Sequence, residues 1–401
     1  MPSPQNIDVA RTGRLLILNK GSSSLKFALF ELPGLRLCAR GSLYDLGSEP
    51  SLSLEPEPVG EAPEPVAGPL RPAAAAEHLL AALDARGLLQ NVAFVAHRVV
   101  HGGSHHRAPA ILDDQTLRAL RALSPLAPLH QDASLDVAEA AMRRLPSAVH
   151  AGCFDTAFHA AQPRLARLYA LPRHLLEDGV IAYGFHGLSY AHVARRLQAL
   201  DPEHAGGRAI VAHLGSGASL CALSAGVSLA TTMGFSTLDG VPMSTRCGAL
   251  DPGVVLHLLQ ARGLAPDAVS RLLYEESGLL GLSGISGDMR ALLASASGEA
   301  AEAVSFFVYR VVREIGALAA VLGGLDTLVF TGGVGEGSPE IRARVCGQMR
   351  WLEVEIDARR NQAGAPEIGT GRVRVLVEPA DEELAMAEAL REANITAPDG
   401  G

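Results

Sequence analysis

The chain is poor in lysine. It has two, Lys20 and Lys26, among 34 basic residues and 401 residues in all. Nearly all positive charge is therefore arginine, and both lysines fall in one short segment. The formal net charge is −9, which argues against a general binder of nucleic acid or other polyanions, since those carry a basic excess. Aromatic residues make up only 4%. The five cysteines, Cys38, Cys153, Cys221, Cys247 and Cys346, form no CxxC pair. An odd, scattered set reads as free thiols in a reducing cytoplasm. No basic segment followed by an apolar one opens the chain. The best apolar run, Val304 to Val321, carries Arg310, Arg313 and Glu314, so it reads as a helix with one buried face and not as a membrane span. Three catalytic signatures are missing: the GxxxxGK[ST] phosphate loop, the GxSxG nucleophile elbow and a zinc-type ligand set. His97, His101, His105 and His106 lack the partners a zinc site needs.

Hydrophobic residues make up 48% and charged residues 19%, so a sizeable core is available and disorder is excluded. At about 150 residues per domain the length predicts two or three domains. The first dozen residues are polar and read as loose. Leu15 to Asn19 and Phe27 to Phe30 read as strands joined by a Gly/Ser turn. Ser48 to Pro72 carries seven prolines and reads as a linker, with Ser51 to Leu54 as an edge strand. A helix over Ala73–Ala85, a strand over Val92–Val100, helices near Asp114–Leu123 and Asp132–Arg143, and a strand over Ala148–Phe154 follow. A second strand, Gly/Ser turn and strand occupy Ala209–Leu214 and Leu220–Leu223. Helices are predicted at Gly253–Ala261, Asp267–Tyr274, Glu299–Val321, Pro339–Met349 and Glu382–Glu392, with a strand at Leu325–Thr331. The pattern is mixed α/β, and the recurring hairpin suggests two similar halves facing a cleft.

Several short segments carry candidate chemistry. Asn19-Lys20-Gly21-Ser22-Ser23-Ser24-Leu25-Lys26 is a turn dense in N–H and hydroxyl donors, suited to phosphate oxygens; a plain hairpin turn is the other reading. Arg98 ends a strand, where a buried arginine needs an anion, either a bound carboxylate or an internal ion-pair partner. Asp155, just past a strand, suits Mg²⁺ or a helix N-cap. His186 lies between glycines, where a donating imidazole stabilises a phosphoryl group in transfer. His213 to Ser219 is a second phosphate-type turn. Arg246 comes from a glycine-rich loop, and two isolated arginines can clamp one small anion. Asp288-Met289-Arg290 follows a Gly/Ser turn. Gly332-Gly333-Val334-Gly335-Glu336 opens a helix after a strand and lets backbone approach a nucleotide closely. Glu382 and Glu383 start the last helix and suit either Mg²⁺ or a helix terminus.

These motifs, in this order from Leu15 to about Arg391, resemble the acetate kinase family of carboxylate kinases. The resemblance implies the two-domain acetate and sugar kinase/actin/heat-shock ATPase-like fold, with duplicated related domains around a nucleotide cleft. It implies an N-terminal domain over residues 13–154, rejoined by a final helix at about 384–395, and a nucleotide-binding domain over 155–383. The implied activity is reversible transfer of the γ-phosphoryl of ATP to acetate, with Mg²⁺, or Mn²⁺ in its place. The acceptor alternatives are propionate and another short acid, hydroxylated or not; a silent nucleotide-binding regulator is the alternative of another class. Asn19 and Glu382 should bind metal, with Glu383 the less favoured neighbour. Arg98, Asp155, His186 and Arg246 should be catalytic. Val100, Leu129, Phe185 and Thr237, with Arg98, should line the acid site. Lys26, His213, Leu214, Gly215, Ser216, Gly217, Asp288, Met289, Arg290 and Gly332 to Glu336 should contact the nucleotide. The family habit implies a cytoplasmic homodimer joined through the C-terminal domain, with no nucleic-acid or membrane partner.

The sequence also departs from the family's usual pattern. Lys20 replaces a small residue, Ser216 an asparagine, and Gln131-Asp132 an Asn-Pro pair. Leu188 and Tyr190 replace Thr and His, Gly337 an asparagine, and Thr237 a proline lining the acid pocket. A buried Thr237 hydroxyl without a partner would favour an acid able to hydrogen-bond it.

Overall fold

The computed structural model describes residues 13–55 and 63–393. The first dozen residues, expected to be loose, the middle of the proline-rich stretch and the last two residues of the expected terminal helix lie outside those described. The chain folds into two compact units, one running up to Phe158 and resumed from Asp381, the other His159–Ala380.

The first unit is built on an eight-stranded sheet. Its strands are β1 (Gly13–Lys20), β2 (Leu25–Leu32), β3 (Arg36–Tyr44), β4 (Ser51–Glu55), β5 (Glu64–Pro65), β6 (Val92–Val99), β7 (Ala110–Ile111) and β8 (Val149–Phe154). The sheet order is β5-β4-β3-β2-β1-β6-β8-β7. β1 is antiparallel to β2 and parallel to β6, and β8 continues the parallel run. Leu15 to Leu18 are all buried, which is how a strand covered on both faces reads. On one face Leu16 and Leu18 join Phe27, Leu29 and Val95 under helices α1 (Pro72–Ala85) and, after α2 (Asp114–Arg121), α3 (Gln131–Arg144). The other face is met by the terminal helix Glu382–Ala393, which buries Ala385, Met386, Ala387 and Leu390 against β1, β2, β6 and β8.

The second unit follows with short α4 (Arg173–Glu177) and α5 (Gly187–Leu200). Its sheet comprises β9 (Arg208–Leu214), β10 (Ala218–Ser224), β11 (Val227–Thr231), β12 (Thr327–Thr331) and β13 (Arg374–Val377), in the order β11-β10-β9-β12-β13. β9–β10–β11 is an antiparallel meander, and β12 and β13 extend β9 in parallel. That is the pattern of β3-β2-β1-β6-β8, so the two units repeat one topology. The helix Gly298–Leu322 leads into β12, N-capped by Ser297 and stopped by left-handed Gly323. Gly253–Ala261, expected as one helix, is a short α-turn ending in a π-helical turn at His257–Ala261.

Gly41 marks where the meander of the first unit closes most tightly. A methyl there would strike the Ser53 carbonyl and come within 2.7 Å of the Phe27 ring. Gly41→Ala should therefore lower stability by about 1–3 kcal/mol, the overpacking range, measured as a shift in the urea midpoint at unchanged slope.

Candidate functional site

In the first unit the candidate residues meet around Arg98, at the end of β6. Its guanidinium is bidentate on Asp155, Nε to Oδ1 at 3.0 Å and Nη2 to Oδ2 at 2.7 Å. Nη1 donates to Asn19 Oδ1 at 3.3 Å and lies 3.2 Å from Glu382 Oε2. The Asn19 amide in turn donates to Glu382 at 2.9 Å and Glu383 at 2.6 Å. Asp155 is the internal carboxylate partner open to Arg98 on sequence grounds. Burial opposes the charge of Arg98, but Asp155 and Glu382 more than offset this and hold its pKa above the usual value. Burial raises Asp155, against the pull of Arg98, and the charge of Glu382 adds to the rise. Burial likewise raises Glu383, with Lys26 acting the other way. Lys20 turns its Nζ onto the carbonyls of Gly21 and Ser22, and burial, with Arg98 nearby, lowers it to about 8. Val100 is buried, whereas Leu129 is 42% exposed in the loop before α3.

Asn19 and Glu382 offer oxygen donors, the kind Mg²⁺ and Mn²⁺ take. Among the described residues no group of three or more His, Cys, Asp or Glu is arranged to hold an ion by itself. Mg²⁺ characteristically takes one or two carboxylates and completes its shell with water and phosphate oxygens. The residues therefore fit such an ion, but not a dedicated all-protein cage.

In the second unit, His186 adopts a left-handed backbone (φ 57°) at the start of α5. Gly184, at φ 80°, precedes it; any side chain there would run into the His159 ring. Buried His159 lies 2.9 Å from the Phe185 carbonyl and 2.9 Å from Ser228 Oγ, fixing the approach to His186. The Phe185 side chain is itself buried. His186 Nδ1 lies 2.8 Å from Ser219 Oγ, and its ring stacks on His213 at 4.4 Å. His213 Nδ1 is 2.8 Å from Ser189 Oγ. A methyl on Gly217 would sit 3.2 Å from Arg246 Nη2 and 3.3 Å from His186 Nε2, so the β9–β10 turn, Arg246 and His186 share one small space. Arg246 Nη1 donates to the Thr237 carbonyl at 3.0 Å. Burial raises Tyr274, and hydrogen bonds with the Ser236 and Thr237 side chains offset part of that rise.

The glycine turn after β12 lies beside the same hairpin. A methyl on Gly332, at φ 78°, would strike the Leu214 carbonyl, and one on Gly215 would sit 3.9 Å from Gly333 N. Ser216 O accepts from Ser244 N at 3.1 Å. Val334 and Gly335 lie in the short helix Gly332–Gly337. The Glu336 carboxylate accepts from Gly332 N at 2.8 Å and Ala380 N at 2.9 Å, closing the turn. Asp288 N-caps the helix Met289–Ala294 and pairs with exposed Arg290, while Met289 is buried. Sequence reasoning missed Arg342. It is wholly buried, donates to the carbonyls of Gly335 at 2.8 Å and Glu336 at 2.6 Å, and grips Asn361 at 2.7 Å. Its only sequence signal is an arginine on the apolar face of the helix Pro339–Gly347.

The family model for the acetokinase family matches residues 14–388. The chain belongs to the acetokinase family. Acetate kinase of Methylocella silvestris is 45% identical over 388 residues, covering 92% of this chain and 95% of that protein. Among solved structures, Porphyromonas gingivalis acetate kinase is 34% identical with a TM-score of 0.83, covering 95% of this chain and 99% of that one. A propionate kinase from Francisella tularensis is 29% identical with a TM-score of 0.87, covering 94% and 98%. The duplicated two-domain α/β fold expected from the resemblance is thus the fold of this family member.

Burial lowers His159 to about 4. A histidine depressed in the folded state leaves the unfolded chain to bind the proton first. Its stabilisation is whole above about pH 6.5 and drains away as pH falls toward 4, at up to about 1.4 kcal/mol per pH unit. His159→Gln should flatten this part of the profile, seen as a smaller drop in urea midpoint between pH 7 and pH 5 than in the parent.

Proposed function

We propose that the chain is a reversible ATP:acetate phosphotransferase, moving the γ-phosphoryl directly and in line onto the acetate carboxylate to give acetyl phosphate and ADP. The family match across residues 14–388 carries this reading. The chemistry of the two residue sets agrees with it. Phosphoryl transfer asks for alignment and positive charge around three equatorial oxygens, with little covalent help. The second unit supplies Arg246 as a cation and His186 as a donor, beside a turn kept open by Gly217. Arg246 is held by the Thr237 carbonyl, so its charge is aimed before substrate arrives. His213 and the turn to Ser219 meet the β/γ phosphates, Asp288 to Arg290 flank the adenosine, and Gly333 to Glu336 pass under it.

The first unit supplies Arg98, oriented by Asp155, to the carboxylate, with Val100 and Leu129 on the apolar side of the acid and Lys26 near the phosphates. For Phe185 and Thr237 the family pattern alone carries a role in contacting the acid. Asn19 and Glu382 would hold Mg²⁺, or Mn²⁺ in its place, which when bound neutralises charge on the phosphate oxygens. We assign the chain to the cytoplasm as a homodimer joined through the unit that binds nucleotide. Free thiols at all five cysteines support the first point, and mass photometry at working concentration tests the second. No helix among the described residues is long and apolar enough to cross a membrane.

Propionate is the second acceptor reading, favoured by the likeness to a propionate kinase. Acyl phosphate formation with ATP and Mg²⁺, trapped by hydroxylamine, decides between them when acetate, propionate, butyrate and lactate are run side by side. Acetate is expected to lead. His186→Ala and Arg246→Ala should each lower kcat by about 10²–10³. A folded parent that binds ADP and turns over none of the acids would be a nucleotide-binding regulator, and the kinase reading would fall.

Thr237 brings a hydroxyl to a set of acid-contacting residues that is otherwise apolar. Thr237→Pro should lower turnover of lactate relative to acetate; an unchanged order of acid preference would count against a role for that hydroxyl.

A further inference from the structure

We propose that Gln131 is a positioning residue that sets the acid-length preference of the enzyme. Its side chain ties the loop carrying Leu129 to the strand end carrying Val100, and so fixes the room left for the alkyl end of the acid. The inference rests on the reading above that Val100 and Leu129 meet the acid. Gln131-Asp132 stands where the family's usual pattern has Asn-Pro.

Gln131 is wholly buried at the start of α3. Its Oε1 accepts from His101 N at 3.0 Å. Its Nε2 donates to the His101 carbonyl at 3.0 Å and to the Leu120 carbonyl at 3.1 Å. Chemistry fixes the direction of each bond. A backbone N–H only donates and a carbonyl only accepts, so the amide has one orientation, and both of its hydrogens are used. The side chain thus joins three pieces of chain: the segment just past β6, the last turn of α2 and the first turn of α3. His101 is the residue after Val100, so the grip falls beside that side chain.

The same residue holds Leu129 through its main chain. His130 N and Gln131 N both donate to the Ala127 carbonyl, at 3.0 and 2.9 Å, closing a turn that contains Leu129. Leu129 is half-exposed, so this turn, more than burial, places it. Asp132 fastens the outer side: its Oδ1 accepts from Ser124 Oγ at 2.6 Å and lies 3.3 Å from Arg121 Nη1. A proline stiffens a loop through its fixed φ. Here both members of the Gln-Asp pair stiffen it with side-chain bonds instead. The segment that Gln131 grips is itself held, since Gly102 N donates to Thr156 Oγ1 at 3.1 Å and Gly103 N to His101 Nδ1 at 2.9 Å. An asparagine reaches less far by one C–C bond, about 1.5 Å. To keep its bonds to His101 it would draw the loop, and Leu129 with it, toward Val100. The glutamine holds them apart by that length, which is room for the added methylene of propionate.

Steady-state kinetics of the full chain with ATP and Mg²⁺, on acetate, propionate and butyrate, tests the proposal. Gln131→Asn should lower kcat/KM for propionate relative to acetate about tenfold, the discrimination one misfitting methylene commands, with KM for ATP within about twofold. Gln131→Met keeps the length but makes none of the three bonds. It should raise KM for acetate and propionate alike and leave their ratio near the parent's. A glutamine with a structural role only would lower the urea midpoint of both variants and move neither the acid KM values nor their ratio. A folded Gln131→Asn protein with the parent's propionate-to-acetate ratio would overturn the proposal. Should Gln131→Asn fail to fold, Gln131→Asn combined with Asp132→Pro restores the family's usual pair and carries the same readout. Leu129→Ala separates the inference from the reading beneath it, and should shift preference toward the longer acids. If it leaves the order of acids unchanged, the acid-contacting role of Leu129 falls and takes the proposal with it. If it shifts the order while Gln131→Asn does not, only the role of Gln131 falls. A folded parent that turns over no acid would sink the kinase reading itself.

Discussion

The buried guanidinium of Arg98 is the constraint on which the first unit's end of the chemistry depends. A cation taken out of water is expensive unless its surroundings replace every lost hydrogen bond. Here the replacement comes from three separate pieces of chain: Asp155 after β8, Asn19 at the end of β1 and Glu382 at the start of the terminal helix. Asn19 uses both ends of its amide, oxygen toward the guanidinium and nitrogen toward two glutamates. An aspartate would match it in shape but would set a further negative charge against Glu382 and Glu383. The same cluster that fixes the strand ends therefore also dictates which side chains can stand around it.

The duplicated topology places one kind of element, a hairpin turn between the first two strands, to two different uses. In the first unit Lys20 folds back on the turn's own carbonyls, and Gly21 N closes the turn on the Ser24 carbonyl. In the second, the missing side chain of Gly217 makes room for Arg246 and His186. Topology decides where such a turn lies, and one or two residues decide what it does. That is why two related sheets need not carry equal chemistry.

Much of this was legible in the sequence. The central strands, the paired hairpins and the helices α1 and α3 announce themselves by continuous apolar runs or helical spacing. The order of short glycine, histidine and arginine motifs pointed to the family. Other elements were not legible, for physical reasons. β3 has buried residues at irregular intervals and a glycine at its centre, so it shows no clean alternation. α5 opens with Gly-Leu-Ser directly after His186 and has no side-chain cap to mark its start. Partnerships were harder still. Spacing along the chain could not show that Glu336 closes its own turn, that Arg246 donates to the Thr237 carbonyl, or that Arg342 satisfies carbonyls where a carboxylate would be the ordinary partner. Each depends on residues brought together from distant segments.

The first unit is discontinuous: its sheet is made early in the chain, and its closing helix comes after the whole of the second unit. During synthesis β1, β6 and β8 emerge more than two hundred residues before Glu382. Until then Arg98 has Asp155 and Asn19 but lacks its third partner, and Ala385, Met386 and Leu390 are not yet there to cover the open face of the sheet. A nascent chain therefore carries an unfinished first half through most of translation. The same helix that seals the apolar face delivers the last charge, so the burial of the sheet and the completion of the charge cluster arrive together, as a single late event.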